Sequence, residues 1–377
     1  MPRRILVLSA SVGAGHLRAA EAVTLALRQL APGDEVRSVD VLDLTNAVFR
    51  RVYGRLYLDL VNKAPHALGY FYDRLDRPSR SGKDRGDALR RVVQRANLPR
   101  LTKLLTAEPW DLAVSTHFLP AEVIAGLKKR NGLPLPHATV TTDFDAHRLW
   151  VNAPCERYFT ATEEGARYLA HWGAPADGTF ATGIPVHPVF AAPKDPAACR
   201  KKHALSADRP VVLQLAGGFG VGPVEKLFDA LCEVDRPIHL VAVSGRNAKL
   251  KAGLAARPVP ARHRVTVLGF TTEIDELMAA ADLVVSKPGG LTTSEALARG
   301  AAMVVVNPIP GQESRNSDFL LENGAAIKAN TAATLGFKVG ALLADPARLA
   351  AMRAAVTRIA RPRAAFDVAA KALELIR

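Results

Sequence analysis

The feature that most constrains this chain is a rhythm. Short runs rich in Val, Ile and Leu alternate, almost from end to end, with stretches whose apolar residues recur at helical spacing. Such alternation is the mark of parallel α/β units, because parallel neighbours need a crossover long enough to hold a helix. In the first half, residues 5–10, 35–41, 111–116 and 137–142 read as strands, and Ala19, Ala20, Val23, Leu27 and Leu30 lie at helical spacing after the first of them. In the second half, residues 210–216, 238–244, 265–268, 283–286 and 303–307 read as strands, each followed by a turn and a helix. A length of 377 residues exceeds what one hydrophobic core usually fills. Between the halves, Thr182-Gly183-Ile184-Pro185-Val186-His187-Pro188 runs on to Pro193 and Pro196, a density of Pro and Gly that suits an inter-domain linker. The expectation is an α/β chain of two doubly wound, Rossmann-like domains facing each other across a cleft. They span residues 1–184 and 185–360, with a closing helix over 361–377 packed back on the first.

One segment breaks the rhythm. Residues 48–106 read as an inserted helical stretch, and from Arg50 to Lys103 fourteen Lys and Arg face five acids, a net +9 of the chain's formal +14. Arg50, Arg51 and Arg55 stand there with Phe71 and four of the six tyrosines, Tyr53, Tyr57, Tyr70 and Tyr72. Aromatic rings with polar tips beside cations suit the headgroup layer of an anionic membrane, where each surface cation contributes about 1 kcal/mol. These residues are therefore membrane-binding candidates. Nucleic acid accepts such a patch too, and a solvated helical face with its aromatics turned inward is the plain alternative; nucleic acid is not the expected partner.

No run approaches the roughly 18 to 20 apolar residues that cross a bilayer, so membrane association is expected to be peripheral. The basic start before residues 5–10 resembles a secretory signal, but its apolar run is short and continues into a helical pattern. The three cysteines, Cys155, Cys199 and Cys232, are odd in number, far apart and without a C-x-x-C pair. They argue against a disulfide framework or a zinc site and suit a reducing compartment, the cytoplasmic face of the cell membrane.

Three motifs stand at expected strand ends. Gly13-Ala14-Gly15-His16 follows the first strand: glycines let the backbone turn tightly and approach a ligand, and the next helix start offers free N–H groups to an anion. His16 titrates near neutral pH there, a good place for a general base. A dinucleotide fingerprint would need a third glycine at Arg18, although Asp40 does end the second strand, which keeps a nicotinamide alternative open. The second motif, Ser286-Lys287-Pro288-Gly289-Gly290-Leu291-Thr292, runs from a buried strand through a Gly-Gly turn into a helix, where a diphosphate can sit against backbone N–H groups. Lys287, Gly289, Gly290, Leu291 and Thr292 are donor-binding candidates, and Glu295, one helical turn on, is placed to accept hydrogen bonds from ribose hydroxyls. The third, Asn307 to Glu313, offers Gln312 and Glu313 to sugar hydroxyls at the next strand end. Asp143-Phe144-Asp145 matches a metal-holding D-x-D pattern; a helix start can neutralise a diphosphate unaided, so no metal or other cofactor is expected.

Together these residues, with Thr142-Asp143-Phe144 near His147 and Trp150, Thr182-Gly183-Ile184-Pro185, and Pro310-Gly311-Gln312-Glu313, resemble the monogalactosyldiacylglycerol synthase and processive diacylglycerol glucosyltransferase family over nearly the whole chain. The resemblance implies a GT-B fold, acceptor domain first and UDP-sugar domain second, and transfer of glucose or galactose from a UDP-sugar to diacylglycerol with inversion. It makes His16 the general base and Asp143 a supporting catalytic residue. Gly13, Gly15 and Gly218 are further substrate-binding candidates; the resemblance assigns Gly289, Gly290 and Glu295 to UDP, Gln312 and Glu313 to the hexose, and the backbone near Gly269 and Phe270 to uracil. The loop Ala216-Gly217-Gly218-Phe219-Gly220 and Ala14 depart from the family's usual forms, which bears on the acceptor. Alternatives are a UDP-N-acetylglucosamine transferase acting on a peptidoglycan lipid intermediate, a UDP-sugar epimerase of the same fold, and a non-enzymatic lipid or nucleic-acid binder.

Overall fold

The computed structural model describes residues 2–46, 98–217 and 222–376. The membrane candidates Arg50, Arg51, Tyr53, Arg55, Tyr57, Tyr70, Phe71 and Tyr72, and the substrate candidate Gly218, lie outside the described residues. The chain forms two compact units, one of Met1–Pro188, Pro310–Gln312 and Arg363–Arg377, the other of Val189–Ile309 and Glu313–Pro362.

In the first unit the order is β1 (Arg4–Ser9), α1 (Ala14–Leu30), β2 (Glu35–Asp40), α2 (Pro99–Ala107), β3 (Leu112–Ser115), α3 (Phe118–Asn131), β4 (His137–Val140), β5 (Arg157–Thr160), α4 (Glu163–His171) and β6 (Thr179–Ala181). The strands form one parallel sheet ordered β2-β1-β3-β4-β5-β6. Successive strand residues point to opposite faces, so the apolar run of β1 serves two cores. Ile5 and Val7 pack with Val23, Ala26 and Leu27 of α1, whereas Leu6 and Leu8 pack with Leu101, Leu119 and Ile124 on the other side.

The second unit runs α5 (Pro196–Lys202), β7 (Val211–Leu215), α6 (Val224–Cys232), β8 (His239–Val243), α7 (Ala248–Ala255), β9 (Arg264–Leu268), α8 (Ile274–Ala280), β10 (Leu283–Ser286), α9 (Gly290–Ala298), β11 (Ala302–Val306), α10 (Gln312–Glu322), β12 (Ala326–Ala329), α11 (Ala332–Leu343) and α12 (Pro346–Ile359). Its parallel sheet is ordered β12-β11-β10-β7-β8-β9. Val212, Leu240, Leu283, Val285, Ala302 and Val304 share one core with Phe228 and Leu231 of α6 and Leu335 and Val339 of α11. The last helix, α13 (Ala364–Leu373), belongs to the first unit, where Ala365, Val368, Ala369 and Ala372 join the core of Ile5 and Val7. Arg157 of β5 donates to the Lys371 carbonyl and the Glu374 carboxylate at its end.

The strands read from the sequence are all present. β5, β6 and β12 are additional to them: Arg157–Thr160, Thr179–Ala181 and Ala326–Ala329 hold no run of Val, Ile and Leu to mark them.

Candidate functional site

In each sheet the chain reverses its direction of growth beside the first strand, between β1 and β3 and between β7 and β10. Loops leaving the C-terminal strand ends part at such a point, which is where open α/β sheets hold ligands.

At the first of these points, the turn after β1 leads into α1 with Gly13 extended at its N-cap (φ −153°, ψ 152°) and no side chain capping the helix. The N–H groups of the first turn, with Gly15 among them, are left to another acceptor. His16 stands in that turn, half-buried, and is held by residues far away in sequence. Its Nδ1 lies 3.2 Å from the Thr116 carbonyl, after β3, and 2.9 Å from Thr142 Oγ1, after β4. The Thr116 hydroxyl also donates to the main-chain carbonyl of His16 at 3.0 Å. A carbonyl only accepts, so Nδ1 carries the proton and Nε2 the lone pair. Burial pushes the imidazole down from 6.5 to about 4, against the smaller raising effect of the Thr116 carbonyl.

Around His16 stand rings. His117 meets it edge-on with centroids 4.6 Å apart, and Trp150 lies 6.2 Å away. His117 is the N-cap of α3, its Nδ1 accepting from Leu119 N at 3.0 Å. Burial first, then the nearby His16 and His147, hold His117 well below its ordinary value. Phe118 and His147 complete the cluster against the fully buried Trp150. Asp143 is half-buried beside Thr142, and Gln312, in the short segment that belongs to the first unit, donates from Nε2 to Asp143 Oδ2 at 3.1 Å. Asp40 is committed to the backbone: its Oδ1 accepts from Ser11 N and Leu42 N at 3.1 and 3.0 Å. These contacts occupy one of the two oxygens that a nicotinamide site would turn to a ribose.

In the second unit, Gly289 is the N-cap of α9 (φ −66°, ψ 140°), again without a side-chain cap, so the N–H groups from Gly290 to Thr292 begin a helix with no side chain closing it. A Cβ on Gly289 would stand 3.8 Å from Glu313 Oε1. Glu313 Oε2 accepts from Ile309 N at 2.8 Å, which folds the loop after β11 towards the turn after β10. Burial raises the Glu313 carboxyl, opposed by Lys287 and by that N–H. Asn307 (φ 43°) and Gly311 (φ 95°) supply the left-handed backbone of this loop. Asn316, fully buried, donates to the Pro288 carbonyl at 3.1 Å and so fixes the Gly-Gly turn from the next helix. Leu291 and Glu295 are buried, at 7 % and 2 % exposure.

Gly269 and Phe270 follow β9. Phe270 is 59 % exposed, with the Arg246 guanidinium 4.9 Å from its ring centroid. Among the described residues no group of three or more His, Cys, Asp or Glu is arranged to hold a metal ion, Asp143 and Asp145 included.

Sequence reasoning gave no role to Thr116, Thr142, His117, Arg246 or Asn316. For Thr116 and His117 the signal was their place alone, just after β3 at its C-terminal end.

Comparison with known proteins adds two kinds of likeness. Residues 16–186 match the monogalactosyldiacylglycerol (MGDG) synthase family and residues 198–361 the glycosyl transferases group 1 family. A processive diacylglycerol beta-glucosyltransferase of Bacillus mycoides (strain KBAB4) is 30 % identical over 366 residues, spanning 97 % of this chain and 92 % of its own. Among solved structures, MurG of Acinetobacter baumannii superimposes with a TM-score of 0.61 at 17 % identity, covering 99 % of this chain and 100 % of that one. Anabaena HepE in complex with UDP-glucose gives 0.56 at 16 % identity, covering 98 % and 99 %.

Proposed function

The chain belongs to the monogalactosyldiacylglycerol synthase and processive diacylglycerol glucosyltransferase family, glycosyltransferases of the GT-B fold, and from that membership we propose that it moves glucose or galactose from a UDP-sugar to a diacylglycerol-type lipid at the cytoplasmic face of the membrane. The observation that carries the mechanism is the pair of contacts from the Thr116 carbonyl and the Thr142 hydroxyl to His16 Nδ1, which leaves Nε2 as the basic atom at the strand end where the first sheet reverses.

In this reading the acceptor hydroxyl gives its proton to His16 Nε2 as its oxygen attacks the anomeric carbon. The bond from that carbon to the diphosphate oxygen breaks, the electron pair leaves with UDP, and the configuration inverts. Burial lowers the His16 imidazole to about 4, so it is the neutral base at pH 7. The first turn of α9 offers its N–H groups and helix dipole to the departing diphosphate. With that helix start available, no divalent ion is assigned to the step. Glu295 is assigned to the ribose, Gln312 and Glu313 to the hexose, Asp143 to the acceptor side, and the backbone at Gly269 and Phe270 to the base.

Among the described residues no helix is long and apolar enough to cross a membrane. The net +9 and the tyrosines of residues 50–103 support a peripheral, salt-sensitive attachment.

Mass analysis of lipid products, with UDP-glucose and UDP-galactose offered separately alongside diacylglycerol vesicles, tests the proposal. A hexosyl-diacylglycerol from one or both donors is the expected product. No glycolipid from either donor would overturn the acceptor, and isomerisation of a UDP-sugar without any acceptor would favour an epimerase.

A further inference from the structure

We propose that Thr142 is the positioning residue for His16: its hydroxyl, with the Thr116 carbonyl, locks the ring as the Nδ1–H tautomer and leaves Nε2 as the only basic atom. The inference deepens the reading of His16 as the base and rests on it.

Of the two contacts at Nδ1, the carbonyl decides the tautomer and the hydroxyl holds the ring in it. The Thr116 carbonyl, 3.2 Å from Nδ1, has only lone pairs to offer, so an unprotonated Nδ1 would face it lone pair to lone pair. The Thr142 hydroxyl, 2.9 Å away, can accept or donate, and beside an Nδ1–H it accepts. Its own proton then remains to be given elsewhere.

The surroundings make Thr142 a fixed post. It is 5 % exposed, directly beyond β4 in a sheet where β1, β3 and β4 are neighbours through β3. The Thr116 hydroxyl clamps the main chain of His16 from the adjacent strand end, and His117 packs edge-on against the ring from the same loop.

An orienting carboxylate would hold an imidazole more strongly but would also stabilise its charged form. Burial lowers the basicity of His16 against the raising effect of the Thr116 carbonyl, and the neighbouring Asp143 has an oxygen engaged by Gln312. A neutral hydroxyl gives direction without charge.

The test uses full-length enzyme labelled with 15N-histidine, with His16→Ala identifying the His16 signals in long-range 1H–15N spectra. At pH 7 the wild type is expected to show a protonated Nδ1 and an unprotonated Nε2. Thr142→Val, close to isosteric but without the hydroxyl, is expected to lower turnover roughly 2- to 10-fold, the effect of one lost hydrogen bond, and to reduce the Nδ1–H population, with UDP affinity unchanged. Thr142→Ser, which restores the hydroxyl, is expected to recover most of that loss. If Thr142→Val melts early, Thr142→Ala replaces it against the same serine control. A wild-type His16 protonated at Nε2, or a Thr142→Val enzyme with unaltered turnover and tautomer, would overturn the proposal. Wild-type turnover in His16→Ala would instead remove the base assignment and leave the tautomer measurement standing as a test of the lock.

Discussion

His16, His117, Phe118, His147 and Trp150 gather at the strand ends of the first unit, where burial holds imidazoles neutral. At the equivalent edge of the second unit an uncapped helix start lies with Lys287, Glu313 and the buried Glu295, so formal charge and a helix dipole replace aromatic walls. Both edges belong to six-stranded parallel sheets that reverse beside their first strand. The difference teaches that the sheet supplies the place and the loops supply the electrostatics. An apolar surround suits a group that must take a proton and an apolar acceptor, and a polarised surround suits a diphosphate.

The first way to break this contrast is to remove one member from each side. His16→Ala should lower turnover by about 10² to 10⁴-fold, the usual effect of losing a general base, while calorimetric UDP affinity stays near wild type. A folded variant with undiminished turnover would end the base assignment and move suspicion to Asp143. Glu295→Ala should weaken UDP by roughly 1 to 3 kcal/mol, the range for a lost hydrogen bond to a charged group. Unchanged affinity in a folded variant would remove the ribose role.

Acid sharpens the contrast. Desolvation holds His16, near 4, His137, near 3, and His117 below the ordinary histidine value in the first unit, and His239, near 4, and His263 in the second. Each folded value lies below the unfolded 6.5, so the unfolded chain binds more protons as pH falls from about 6.5. Their stability contribution is complete above 6.5 and declines towards 4, by about 1.4 kcal/mol per pH unit for each histidine that titrates only when unfolded. Hydrogen exchange read separately on the two units between pH 7 and 5 should show the larger loss of protection in the first. For the same reason, the acid limb of kcat/KM should lie well below 6.5; a limb at 6.5 would mean that an unperturbed histidine is the base. The smallest expected effect is none: EDTA should leave turnover unchanged, and a loss restored by a divalent ion would show that the helix start does not suffice.

The parts legible in the sequence were those with a local signature. Strands buried on both faces read as apolar runs, and both Gly-to-helix turns showed as glycine between a strand and a helical pattern. The contacts that give His16 its chemistry were not legible, because Thr116 and Thr142 lie 100 and 126 residues away and nothing in a threonine announces its partner. Asp40, which left a nicotinamide alternative open, is the opposite case. An acid at a strand end looks like a ribose ligand until its oxygen is seen to hold the Ser11 and Leu42 amides.

The return of α13 to the first unit has a consequence for how the molecule is made. Ile5, Val7 and Val23 find their last covering surface in Ala365, Val368 and Ala372, which are translated only after Val189–Pro362. At about 5 to 20 residues per second, the ribosome spends roughly 9 to 35 seconds on that interval. Throughout it the oldest part of the nascent chain keeps an apolar flank uncovered, open to chaperones or to other nascent chains, and the first unit to be started is the last to be finished.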